Sequence, residues 1–197
     1  MSSEEKSFVL SEAQKRELLR LARNSIAAYL AELPLPLAET SSLSDFHAGV
    51  FVSLHMGERL RGCIGYVEGS RSLLEALQET AISAASRDPR FGPLSADELP
   101  QVEIEISVLS PLRKVNSPAE IVPGKHGVMV RLGHHQGLLL PQVAMHYNWE
   151  ASPVGVETFL EHVCQKAGLP AEGWKDPSIE IYIFEAEVFS EATVSSA

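Results

Sequence analysis

Arg61-Gly62-Cys63 carries the most chemistry in this chain, within the run Leu60-Arg61-Gly62-Cys63-Ile64-Gly65. A guanidinium near a thiol favours the thiolate, which is the nucleophilic form. Backbone amides left open by Gly62 and Gly65 can hold an anion. Further on, Asp88-Pro89-Arg90-Phe91 adds a second cation and a carboxylate that can cap local amides or pair with Arg90. In one reading Cys63 is a nucleophile or carrier, with Arg61 and Arg90 steadying an anion and His126 or His146 as base. In a second reading nothing reacts. The hexapeptide and Arg90 are then a recognition surface for carboxylate or phosphate, which a guanidinium takes with two parallel hydrogen bonds. In a third, Cys63 is a small core residue between packing glycines. The binding reading asks least, because a nucleophile also needs a base and an oxyanion site.

These residues must be positioned by a hairpin. Gly49–Met56 is rich in β-formers, Gly57-Glu58 fits a two-residue turn, and the hexapeptide lies on the returning arm. Alternation puts Arg61 and Cys63 on one face and Gly62 and Ile64 on the other. A helix precedes the hairpin, opened by a Ser11/Gln14 capping box and ended before Pro34; residues 37–48 read as a loop. A second helix follows, from Ser72 and Glu75 to small residues that would let it lie close to a sheet. It runs into the rigid loop 86–94.

Val102, Ile104, Ile106 and Val108 alternate with Glu103, Glu105 and Ser107, which predicts a strand wet on one side. The two glutamates read as a solvated face. Ser110-Pro111 breaks the strand, and Ser117-Pro118 opens a short helix. A second hairpin spans 127–140 around Gly133-His134-His135-Gln136, followed by helical residues 143–149. Adjacent histidines in a turn, without HxH or HExxH spacing, give no metal site. Val156–Leu169 reads as an amphipathic helix with Cys164 on its apolar stripe, a structural cysteine. A last strand over 179–189 changes its apolar face near Ile183, as at a bulge or where one strand serves two layers.

The 197 residues are 45% hydrophobic, enough to bury a sizeable core. A net charge of −10 speaks against binding to nucleic acid through general electrostatics. Two cysteines provide neither a disulfide framework nor a four-cysteine metal site, and with no signal peptide or apolar span the expected location is cytoplasmic. No cofactor is expected.

Several stretches in order resemble the AMMECR-one family. They are Leu60–Gly65, Asp88-Pro89-Arg90-Phe91, Ile106–Pro111, Leu138-Leu139-Leu140-Pro141-Gln142-Val143, and Phe159-Leu160 leading to Lys166–Pro170. The resemblance covers roughly residues 10–190. Arg90-Phe91-Gly92-Pro93 departs from the two prolines more usual after the phenylalanine, and residues 151–156 look longer than the usual connection. The resemblance implies an α+β fold, a mostly antiparallel sheet flanked by helices, with a larger and a smaller subdomain and a groove between them. The domain is placed at 8–190, with flexible tails at 1–7 and 191–197. The implied partners are a Memo-like protein and a radical SAM enzyme, the AmmeMemoRadiSam system, suspected of modifying a macromolecule. The resemblance brings no settled reaction. The expectation is therefore an accessory binding module with ligand-binding positions Arg61, Gly62, Gly65, Asp88, Arg90 and Gln142. The alternative is an enzyme using Cys63, with His126 as base. Oligomeric state is not legible in the sequence.

Overall fold

A computed structural model describes residues 9–37, 43–152 and 154–194. The expected tail 1–7, part of the 37–48 loop and Pro153 lie outside them. The chain is α+β, with two four-stranded antiparallel sheets. It divides into two compact units, residues 1–109 with 187–197, and residues 110–186.

The first unit begins with α1 (Glu12–Leu30). Its capping box forms as the sequence predicts, with the Gln14 amide donating to Ser11 Oγ and Ser11 N–H donating to Gln14 Oε1. Leu18, Leu19, Ala22 and Ile26 are buried along one face. The helix stops short of Pro34, and Glu32 adopts φ +54°. Next come β1 (Gly49–Met56), β2 (Arg59–Tyr66), α2 (Leu73–Ser86) and β3 (Glu103–Leu109). With β8 (Ala186–Ser190) they give the sheet order β2-β1-β3-β8. Both helices cover one face of this sheet, burying Val50, Val52, Leu54, Ile104, Ile106 and Val108 with the helix stripes in one core. Each such side chain removed from water contributes about 1.5–3 kcal/mol.

The second unit contains β4 (Arg113–Val115), β5 (Gly127–Leu132), β6 (His135–Leu139), α3 (Pro141–His146), α4 (Gly155–Lys166) and β7 (Glu180–Phe184). Its sheet order is β4-β7-β5-β6. Phe159, Leu160, Val163 and Cys164 of α4 pack with Val128, Val130, Ile181 and Ile183. The short helix α3 starts at Pro141, earlier than predicted. Proline fits the first turn because no intrahelical donor is needed there.

Three expectations change. The face of β3 predicted to be wet is half-buried at Glu103 and Glu105, and Ser107 is buried. The single strand predicted over 179–189 is two strands. It breaks at Glu185, with β7 in one sheet and β8 in the other, which accounts for the change of apolar face. Residues 191–194, placed in a polar tail, form α5 (Glu191–Val194), where Glu191 pairs with Arg23 and Val194 is buried.

Candidate functional site at the hexapeptide edge

The turn at Gly57-Glu58, carried on alone, would place Ser53 opposite Gly62. Instead the register shifts between Leu54 and His55: His55 faces Leu60 and Leu54 faces Gly62, so Arg61 is the extra residue of a β-bulge. The slip brings Cys63 opposite Ser53. Ser53 Oγ donates to Cys63 Sγ at 3.3 Å. Cys63 turns both its own backbone groups away from β1, which makes this a non-hydrogen-bonded pair, the kind whose side chains lie closest. Ser53 is buried and Cys63 is half-buried.

β2 is an edge strand, and the Asp-Pro-Arg loop caps that edge. Cys63 N–H donates to Asp88 Oδ2 at 2.8 Å, and Arg90 Nη2 donates to the Cys63 carbonyl at 3.1 Å. Asp88 is 4% exposed. It also accepts from the Arg90 amide (3.1 Å), from Nε (3.0 Å) and from Nη2 (2.7 Å). An ion pair here takes the place of a neighbouring peptide group, which blocks strand addition at this point. The Arg90 guanidinium holds the Asp88 carboxyl at about 2, well below 3.8, and the two backbone amides add to the effect while burial opposes it. Arg90 in turn is raised, chiefly by Asp88, and the Cys63 side chain acts in the same direction, so guanidinium and thiol are neighbours.

Arg90 uses Nε and both protons of Nη2 in these bonds. The Arg90 side chain is 55% exposed and passes over the Phe91 ring. Arg61 differs. Its Nε and Nη2 hold Glu98 at 3.0 and 3.1 Å, while Nη1 and Nη2 reach the carbonyls of Gly92 and Pro93 at 2.8 and 3.2 Å. Those bonds take four of the five N–H groups that a guanidinium has. The carboxylate that Arg61 binds is thus the chain's own, and Glu98 is held at about 2 by that guanidinium. The strand and the loop are stitched both ways, Arg61 gripping residues 92–98 and Arg90 gripping the strand.

The two glycines are required by packing. A Cβ on Gly62 would lie 2.2 Å from the Ala84 carbonyl oxygen of α2, and one on Gly65 would lie 2.2 Å from Cγ of Phe51. The space on the side-chain face of each glycine is thus filled by the protein's own atoms.

His126 is buried in the second unit, and its Nδ1 accepts the Val122 amide at 3.0 Å. Burial and the neighbouring Lys125 favour its neutral form, whose proton then sits on Nε2. Gln142 lies half-buried in the first turn of α3. His146 is exposed at the end of that helix. Cys164 is fully buried, and burial pushes its thiol up. Residues that the sequence did not mark are Ser53, Glu98 and Phe51. The bulge hides the pairing of Ser53 with Cys63 and of Phe51 with Gly65, and Glu98 joins the hexapeptide only through a tertiary contact.

Residues 19–189 match the AMMECR1 family. The chain belongs to that family. Protein MK0488 of Methanopyrus kandleri is 46% identical over 186 residues, covering 88% of this chain and 86% of that one. Protein MJ0810 of Methanocaldococcus jannaschii is 41% identical over 181 residues, covering 88% of each. The crystal structure of the uncharacterized protein PH0010 from Pyrococcus horikoshii has a TM-score of 0.82 at 36% identity, covering 91% of this chain and 92% of that one. The AMMECR1 span contains the hexapeptide, the Asp-Pro-Arg loop, His126 and Gln142. Among the described residues no group of three or more His, Cys, Asp or Glu side chains is placed to hold a metal ion, and no helix is long and apolar enough to cross a membrane.

Proposed function

We propose that this AMMECR1 protein is an accessory binding module of a macromolecule-modifying system. The edge formed by Cys63 and Arg90 holds an anionic group, a carboxylate or phosphate of the ligand or partner. One observation carries this reading: the Arg90 guanidinium is fixed in place by a buried carboxylate and the Cys63 carbonyl while its side chain stays 55% exposed. A side chain already held in its binding orientation loses little entropy when it binds. Arg61 serves this site by holding the loop that carries Arg90, and Asp88 by orienting the guanidinium. A Memo-like protein and a radical SAM enzyme are the proposed partners, brought by family resemblance.

The reading is tested by titrating the 15N-labelled protein with inorganic phosphate and with acetate. It expects saturable shifts at the Cys63 amide and the Arg90 side chain that vanish in Arg90→Gln and persist in Cys63→Ser. Shifts that survive Arg90→Gln would rule it out. The second reading, a cysteine-dependent enzyme, draws on the Ser53 hydrogen bond to a half-exposed thiol. It expects Cys63→Ser to abolish function in cells carrying the partner genes, whereas the binding reading expects function to be retained.

A further inference from the structure

We infer, on the reading above that Arg90 holds an anion, that the guest is the C-terminal carboxylate of a partner polypeptide, whose last residue adds to β2 opposite Gly65. β2 is the outer strand in the order β2-β1-β3-β8. Within its pairing to β1, Ser53 faces Cys63, and Phe51 faces Gly65 two residues further along. Hydrogen-bonded and non-hydrogen-bonded pairs alternate in an antiparallel ladder. The Cys63 N–H donates to Asp88 and the Cys63 carbonyl accepts from Arg90, both away from β1. Gly65 has the same parity, so its N–H and C=O also point to the outer edge. Gly65 is half-buried, and with no side chain it meets solvent through backbone alone.

The neighbouring groups select a chain end. In chain order the edge offers the Cys63 N–H, the Cys63 carbonyl, the Gly65 N–H and the Gly65 carbonyl. The Asp88–Arg90 pair occupies the first two. An antiparallel strand with a residue opposite Gly65 runs toward Cys63, where that ion pair bars its way, so it ends there. A terminal residue fits the groups that remain, because directly opposed residues exchange both N–H···O bonds. Its N–H donates to the Gly65 carbonyl, and one carboxylate oxygen accepts the Gly65 N–H. The second oxygen turns toward the Arg90 guanidinium, which is anchored on the adjoining Cys63 carbonyl. Hydrogen bonds to a carboxylate are charge-assisted and stronger than those between neutral groups. Main-chain bonds along a sheet edge supply affinity, and side-chain contacts supply specificity. The terminal side chain shares the face of Gly65 that carries the Phe51 ring, which gives it an apolar neighbour.

The test titrates the 15N-labelled full chain with acetyl-Ala-Ala-Leu as the free acid, with its C-terminal amide, and with acetate. A fourth ligand carries an ester oxygen in place of the last peptide N–H. The free acid should shift the Gly65 amide and the Arg90 side chain together. It should bind about 5-fold or more tightly than acetate, the effect of one or two added hydrogen bonds. The amide form should bind about 10-fold more weakly than the acid, through loss of the charge-assisted bonds. The ester should lose about 5-fold, through loss of the donor to the Gly65 carbonyl. A free acid that binds no more tightly than acetate overturns the inference while the anion site stands. Equal binding of acid and amide overturns it too, since an internal segment would then pair with the edge as well as a chain end. If neither acetate nor the free acid shifts Arg90, the anion site itself falls and the inference with it.

Discussion

Asp88→Asn tests the join between strand and loop. In the folded protein the carboxyl group stands at about 2 against 3.8 in the open chain. A difference of nearly two units corresponds to about 2 kcal/mol of stability when the group is ionised. The partly exposed Arg90 makes that an upper figure, since solvent screens its charge. Asparagine keeps the shape but turns an NH2 toward donors. Of the four bonds that Asp88 accepts, some are then lost, for a further ~1 kcal/mol or more. The total is about 3 kcal/mol at pH 7, a large share of the 5–15 kcal/mol typical of a domain. The sign follows from the depressed carboxyl: its stabilisation is complete above the unfolded value of 3.8 and is lost as pH falls toward about 2. By pH 3 about half has gone, so the deficit of the variant should shrink by about 1 kcal/mol. Urea unfolding of both proteins at pH 7 and pH 3 measures this. A deficit under ~0.5 kcal/mol at pH 7, or one equal at both pH values, refutes the ion-pair account of the edge.

The glycines and Arg61 give further expectations. Gly62→Ala pushes a methyl into the Ala84 carbonyl of α2, and backbone cannot step aside cheaply, so equilibrium unfolding should show a loss of about 1–3 kcal/mol. Gly65→Ala collides only with the Phe51 ring, and a Phe51→Leu background should recover part of its cost in a double-mutant cycle; additive losses contradict the packing role. Arg61→Ala frees Glu98 and the carbonyls of Gly92 and Pro93, so hydrogen exchange should quicken over residues 92–98 while the rest of the sheet stays protected. Unchanged exchange there would leave the arginine without its structural role.

Features set by neighbours in sequence were legible in advance. The Ser11 and Ser72 caps, the stripe of α1, the Gly57 hairpin and the closing Gly168 at φ +74° all depend on residues a few positions apart. The Asp88–Arg90 pair was legible for the same reason. The partners of Arg61 were not, because Glu98 lies across the fold and the bulge that aims the side chain leaves no mark in an alternating pattern. The glycines were rightly singled out, but sequence alone cannot say whether the space beside them admits a guest or the Ala84 carbonyl and the Phe51 ring. The last strand showed its change of face before its change of sheet, since a phase shift in the apolar pattern is common to both a bulge and a crossing.

Alkylation of Cys63 by iodoacetate and by iodoacetamide tests the central claim, that an oriented guanidinium awaits an anion beside the thiol. The two reagents deliver the same carbon with and without a negative charge, and Cys164, sealed in the core, serves as the unreactive reference. The account predicts a rate ratio favouring iodoacetate over a free thiol standard, lowered by added phosphate and lost in Arg90→Gln. A Cys63 that reacts only after denaturation, or a ratio unmoved by Arg90→Gln, would contradict it.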